Sequence, residues 1–147
     1  MTQRIDYYKV APDAIGIIEK LDKYTATTGI DRKLRELIRL RASQINGCPL
    51  CMYMHTTDAL KIGEAEERLY CISAWEECDF YTEAEKVALE LTEHITLIPT
   101  KRVPDELYQR VRNHYDEKQY VDLVLIINQI NTWNRIAISM GQTAIEK

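Results

Sequence analysis

Glycine and proline are scarce in this 147-residue chain, at five and four, and phenylalanine occurs once. No low-complexity linker, internal repeat or composition break interrupts it, so a single domain over residues 1–147 is expected. A chain of this length can bury a core without staples. Excess positive charge is also missing. The formal net charge of −4 supplies no clustered cation for phosphate, which argues against nucleic acid or an anionic membrane as partner. No apolar run approaches the roughly 20 residues that span a bilayer. The N-terminal stretch MTQRIDYYKVAPDA has no apolar signal core, so the chain is expected to stay in the cytoplasm.

Period-two alternation is absent too, and the hydrophobic pattern is helical almost throughout. Pro12 is placed to open a helix with Ile15, Ile18, Leu21 and Tyr24 on one face, and Gly29 to end it. Asp31 can cap a second, with Leu34, Leu37, Ile38, Arg41 and Ile45 in one stripe and Asn46-Gly47 as the stop. A third is expected from Cys48 to Ile62, ended by Gly63, and a shorter piece over Ala65 to Ala74. Thr82 and Glu85 have capping-box spacing for a helix that ends before Pro99, and Pro104 marks the next start. The last helix, from about Glu117 to Met140, is apolar around more than half its girth, so it is expected in the core or at a subunit contact. The fold class is all-α.

Four cysteines are present, and two of them lie in CPLCMYMH, residues 48–55. In a reducing compartment a close pair points to redox or metal chemistry rather than a structural disulfide. Pro49 at the first helical position puts Cys48 at the N-cap and Cys51 near the end of the first turn. Unpaired N–H groups and the positive end of the helix dipole favour thiolate there. The three-residue spacing brings both sulfurs onto one face, close enough for a disulfide. His55 sits one turn beyond Cys51 on that face and can take a proton from a thiol, directly or through a water. If Asn46-Gly47 turns the chain into an antiparallel hairpin, Glu36 and His55 lie at similar heights, within one turn at about 1.5 Å per residue. The Glu36 carboxylate can then hold the imidazole. The N-cap position favours Cys48 as the acidic thiol, whereas the histidine favours Cys51.

The segment ELIRLRASQINGCPLCMYMH, with Trp75, TEAEKVALELTEHIT and INTWNR further on, resembles the carboxymuconolactone decarboxylase superfamily, and within it the alkylhydroperoxidase AhpD-like branch. The likeness covers residues 30–138 and carries the pattern Glu-x11-Cys-x2-Cys-x3-His. It implies an all-helical, AhpD-like bundle, homo-oligomeric, with the cysteine pair at the start of a helix in a helical hairpin. It also implies a cytoplasmic peroxidase that reduces hydroperoxides with no cofactor and is recharged by an external dithiol. By position Glu36 and His55 match the family's proton relay, Cys51 its peroxidatic cysteine and Cys48 its resolving cysteine. Leu50 departs from the pattern, since well-studied members carry a histidine there. The decarboxylase branch lacks the cysteine pair, which argues against lactone decarboxylation.

Other chemistries fit less well. A structural zinc site needs four ligands, and Cys48, Cys51 and His55 offer three, with Glu36 the nearest fourth. A thioredoxin-type reading needs strands between helices. Cys71 and Cys78, spaced too widely for a ligand pair, read as buried hydrophobes; His94 and His114 read as surface residues. Trp75 and Trp133 read as core or subunit-contact residues. Asn131, Asn134 and Arg135 are expected to hydrogen-bond between helices or subunits, and Arg41 to pair with a carboxylate. The alternative to an enzyme is a redox sensor or assembly module that uses the same disulfide as a switch.

Overall fold

The computed structural model describes residues 3–144, and helices fill them with no strand among them. Met1, Thr2 and residues 145–147 of the expected domain lie outside the described residues. In chain order the helices are α1 (Tyr7–Val10), α2 (Pro12–Ala26), α3 (Arg32–Asn46), α4 (Pro49–Lys61) and α5 (Glu66–Tyr70). A 3-10 segment, Ile72–Glu77, precedes α6 (Glu83–Thr96), α7 (Ile98–Lys101), α8 (Asp105–Arg112) and α9 (Glu117–Met140).

The expected punctuation does its work. Pro12 and Pro49 stand in the first turns of α2 and α4, where a missing N–H costs nothing. Asp31 accepts the N–H groups of Lys33 and Leu34 at 2.9 and 3.1 Å. Thr82 with Glu85, and Asp116 with Gln119, form reciprocal capping boxes, each worth about 1 kcal/mol to its helix. Gly47, at φ +66°, closes α3, and the Cys48 N–H returns to the Ser43 carbonyl at 3.0 Å. That left-handed residue folds α4 back along α3.

Three buried clusters share α3. Leu34 and Ile38 pack with Leu91 of α6, Val111 of α8 and Ile126 of α9. Leu37 and Leu40 meet Ala59, Trp75 and Leu89 on another side. Ala42 joins Cys48, Cys51, Ile130 and Ala137 in a third. The most enclosed helix is therefore α3, with α9 packed along it. The apolar girth of α9 pointed to that helix instead, and α3 also carries Arg35, Glu36, Arg39 and Arg41. Arg35 and Glu36 are in fact buried; Arg35 donates to the Thr25 carbonyl at 2.7 Å, and Arg41 to Glu93 at 2.8 Å. Burial is tolerable because each charge has a partner.

Two boundaries differ from expectation. Helix α2 ends at Ala26 rather than near Gly29, because the Thr25, Thr27 and Thr28 hydroxyls bond back to the carbonyls three residues earlier. The piece expected over Ala65 to Ala74 is α5 followed by the 3-10 segment, which breaks helical geometry at Ala74.

Candidate active site

The α3–α4 hairpin sets the site. Cys48 is the N-cap of α4 and Cys51 lies in its first turn, as the position of Pro49 requires. Both thiols are free, and their sulfurs stand 2.7 Å apart. One S–H is held between them, and Cys48 is the better seat for the charge. The Cys51 thiol, the N–H groups of Cys51 and Leu50 and the Asn134 amide all face it; together they outweigh burial and bring Cys48 down to about 7. Cys51 is pushed the other way, because its proton is the one the Cys48 sulfur holds and burial adds to the effect. Cys48 is wholly enclosed, at 0% exposure, whereas Cys51, at 5%, opens onto a cavity.

Glu36 and His55 meet where the hairpin count places them. His55 Nδ1 lies 2.8 Å from Glu36 Oε2, and Arg39 donates to the other carboxylate oxygen, also at 2.8 Å. Burial works against the Glu36 charge, but hydrogen bonds and charge from His55 and Arg39 prevail and hold the carboxyl below its usual range. Arg39 is fixed in turn by Thr25 Oγ1 at 3.0 Å. A carboxylate so held keeps the imidazole oriented and supports a positive charge on it.

The cavity above Cys51 has a volume of about 360 Å³. Tyr7, Tyr8, Leu50, Met54 and Trp133 supply apolar walls, and His55, Arg39, Asp22 and Gln129 polar ones. Leu50, at the departure from the family pattern, is thus a wall residue. Asp22 holds the far side: its carboxylate accepts Trp133 Nε1 at 2.9 Å and also the Gln129 side-chain amide. Gln129 Oε1 has no partner among the described residues. Tyr7 Oη donates to Gln142 Oε1 at 2.6 Å, tying α1 to the end of α9 across the cavity. Burial pushes the Tyr7 phenol up to about 12, so it stays protonated and can act as a donor but not as a base.

For a metal, the described side chains whose ligand atoms gather within 4.8 Å of one another are Glu36, His55 and Asp58. Neither sulfur belongs to that group. Arg39 already engages Glu36, and Lys61 engages Asp58 at 3.0 Å.

Residues 12–94, more than half of the chain, match the carboxymuconolactone decarboxylase family. The chain belongs to that family. The uncharacterized protein YdfG of Bacillus subtilis (strain 168) is 63% identical to it over the full length of both chains. Among solved structures, ATU0492 from Agrobacterium tumefaciens, a protein of unknown function named as a candidate AhpD antioxidant defence protein, superposes with a TM-score of 0.94. It is 34% identical and covers 99% of this chain and 100% of its own. The debrominase Bmp8 superposes with a TM-score of 0.83 at 22% identity, over 91% of this chain and 72% of its own; that likeness is one of fold. The family's helical bundle is thus the AhpD-like one, with the cysteine pair at the start of a hairpin helix. No helix among the described residues is long and apolar enough to cross a membrane.

Two residues that bear on the cysteines, Glu36 and His55 were not assigned to the site by the sequence reading. Arg39 is one turn past Glu36 on the same helix, so its i, i+3 spacing was a usable sign. Asn134 was marked as needing partners, and it has them: its Oδ1 accepts from Asn46 at 2.8 Å, and its Nδ2 donates to Ser43 Oγ at 3.0 Å as well as facing the sulfurs. Asn131 bonds Asn46 and Thr96 across helices, while Arg135 bonds back to Asn131 within α9. Trp133, read as a packing residue, is half-buried in the cavity wall.

Proposed function

We propose that this chain is a cysteine-pair peroxidase that reduces organic hydroperoxides, with Cys51 as the attacking sulfur. The carrying observation is the pair itself: two free thiols 2.7 Å apart, one of them opening onto a cavity that also holds His55. Cys51 passes its proton to Cys48 or His55, and its thiolate attacks the terminal oxygen of the hydroperoxide. The O–O bond breaks, the alkoxide takes a proton relayed through His55 and Glu36 to leave as the alcohol, and Cys51 becomes a sulfenic acid. Cys48 then gives up its proton and attacks that sulfur as thiolate, the S–O bond breaks, and the departing hydroxide takes that proton to leave as water. Two electrons have passed from two thiols to the peroxide, and an external dithiol restores the pair by exchange. The low value of Cys48 suits this second step, which needs a thiolate inside the core. The apolar walls favour a compact organic body over hydrogen peroxide.

We also propose that the working form is a homo-oligomer. Tyr53 and Leu60, seven residues apart on the outer face of α4, are 57% and 42% exposed, with Met54 beside them at 47%. Apolar area of that kind favours a partner surface.

Rapid mixing of the reduced protein with cumene hydroperoxide, with free thiols counted over time and a dithiol then supplied, tests the reading. Loss of two thiols per chain and sustained turnover support it. Cys51→Ser should abolish turnover, and Cys48→Ser should stop after a single sulfenic acid. One slow stoichiometric oxidation would instead leave a redox sensor.

A further inference from the structure

His55 faces the cavity, whose described lining includes neither Glu36 nor Asp58. The relay therefore has a second side. The Glu36 and His55 side chains are only 10% and 12% exposed, whereas that of Asp58, one turn past His55 on α4, is 48% exposed. An Asp58 carboxylate oxygen, a His55 ring nitrogen and a Glu36 carboxylate oxygen all lie within 4.8 Å of one another. One water molecule spans such a gap. A Glu36 carboxylate can only accept, so His55 Nδ1 carries the proton of their 2.8 Å bond. Beyond Glu36 the described network closes: the other oxygen takes Arg39, Arg39 ends on Thr25, and a guanidinium passes no proton on. Asp58 leads outward instead, to Lys61 Nζ at 3.0 Å on the exposed surface of α4.

We propose that Asp58 is the solvent port of the relay, a back entrance through which His55 exchanges protons with bulk water while substrate fills the cavity. Its place in the cycle rests on the peroxidase reading. A proton taken up by His55 makes an imidazolium. It passes through the bridging water to the Asp58 carboxylate, leaving a neutral imidazole and a carboxylic acid, and the acid then releases it to bulk water. The reverse path brings a proton in for the departing alkoxide. Such exchange is required because the Cys48 thiol, brought down to about 7, is part-ionised at neutral pH, so the proton count of the pair differs from one molecule to the next. The cavity side cannot supply it during turnover, since an organic body against Leu50, Met54 and Trp133 displaces water there. Asp58 touches no reacting atom, and its work is done through His55.

Proton exchange can be read apart from turnover. In the reduced, chelator-treated full chain carrying nitrogen-labelled histidine, NMR gives the rate at which the His55 Nδ1 proton exchanges with water in minimal buffer. In Asp58→Asn that rate should fall at least about 10-fold, less than the roughly 100-fold expected of a group acting on substrate itself. Asp58→Glu should return it toward the native rate. Added imidazole, a small proton carrier, should restore the Asn variant in proportion to its concentration, which a merely structural loss would not allow. Turnover with cumene hydroperoxide should follow the same order with KM unchanged. Native-rate exchange or full turnover in Asp58→Asn, or a slowing that imidazole does not relieve, would overturn the port. Exchange that depends on Asp58 in a native chain without turnover would support the port and sink the peroxidase reading instead.

Discussion

Glu36 and His55, nineteen residues apart in sequence, share a 2.8 Å contact across the α3–α4 hairpin, with Arg39 holding the second carboxylate oxygen. If this link relays a proton, Glu36→Gln keeps the shape and an acceptor but loses the charge that supports an imidazolium. We expect kcat with an organic hydroperoxide to fall about 100-fold, the usual scale for general acid–base work, with KM little changed. The pH–rate profile discriminates. A purely structural Glu36 would leave its shape as in the native chain, while a relay residue changes it.

Asn134 joins α9 to both the hairpin and the sulfurs, so its removal has two separable effects. Asn134→Ala takes away a group that favours the Cys48 thiolate and should raise that thiol above its value of about 7. The rate of alkylation at neutral pH should drop accordingly. Unpaired Ser43 and Asn46 groups should also cost about 1–3 kcal/mol of stability. Asn131→Ala serves as the control, since Asn131 bonds Asn46 and Thr96 instead. It should destabilise without moving the thiol titration.

Acid should weaken the fold through buried carboxylates. Glu36 and Glu93 are both opposed by burial yet held below the ordinary range, Glu36 by His55 and Arg39 and Glu93 by Trp75, Arg41 and Lys101. A depressed carboxyl stabilises the folded chain above its unfolded value, about 4.3. That contribution disappears as pH falls through the lower folded value. Urea midpoints should therefore hold between pH 7 and 5 and fall steadily toward pH 3. In Glu93→Gln the stability at pH 7 should be lower and the acid slope shallower. An unchanged slope would mean Glu93 contributes nothing to it.

Much of this was legible along the chain because local rules wrote it. Asp31, Thr82 with Glu85, Pro49, Gly47 and Gly63 act on their immediate neighbours, and such residues mean the same thing in any fold. The Glu36–His55 contact was legible for a related reason: a tight turn makes two helices antiparallel, and the rise per residue then sets which side chains share a height. The enclosure of α3 was harder to read, because Arg35 and Arg39 find oxygen partners at Thr25 of α2, a packing that no pattern within α3 records.

By itself, then, the sequence determined most of the helices and stops and the placing of two sulfurs and an imidazole on one face, since propensity, capping and helical pitch are properties of a short segment. The tertiary structure alone decided that Cys48 is sealed and Cys51 faces a cavity, that Asn134 stands against both, and that Trp133 lines the wall with Asp22. Each of these depends on packing between segments distant in the chain. Burial and encounter are set by what surrounds a residue, and no local pattern records that.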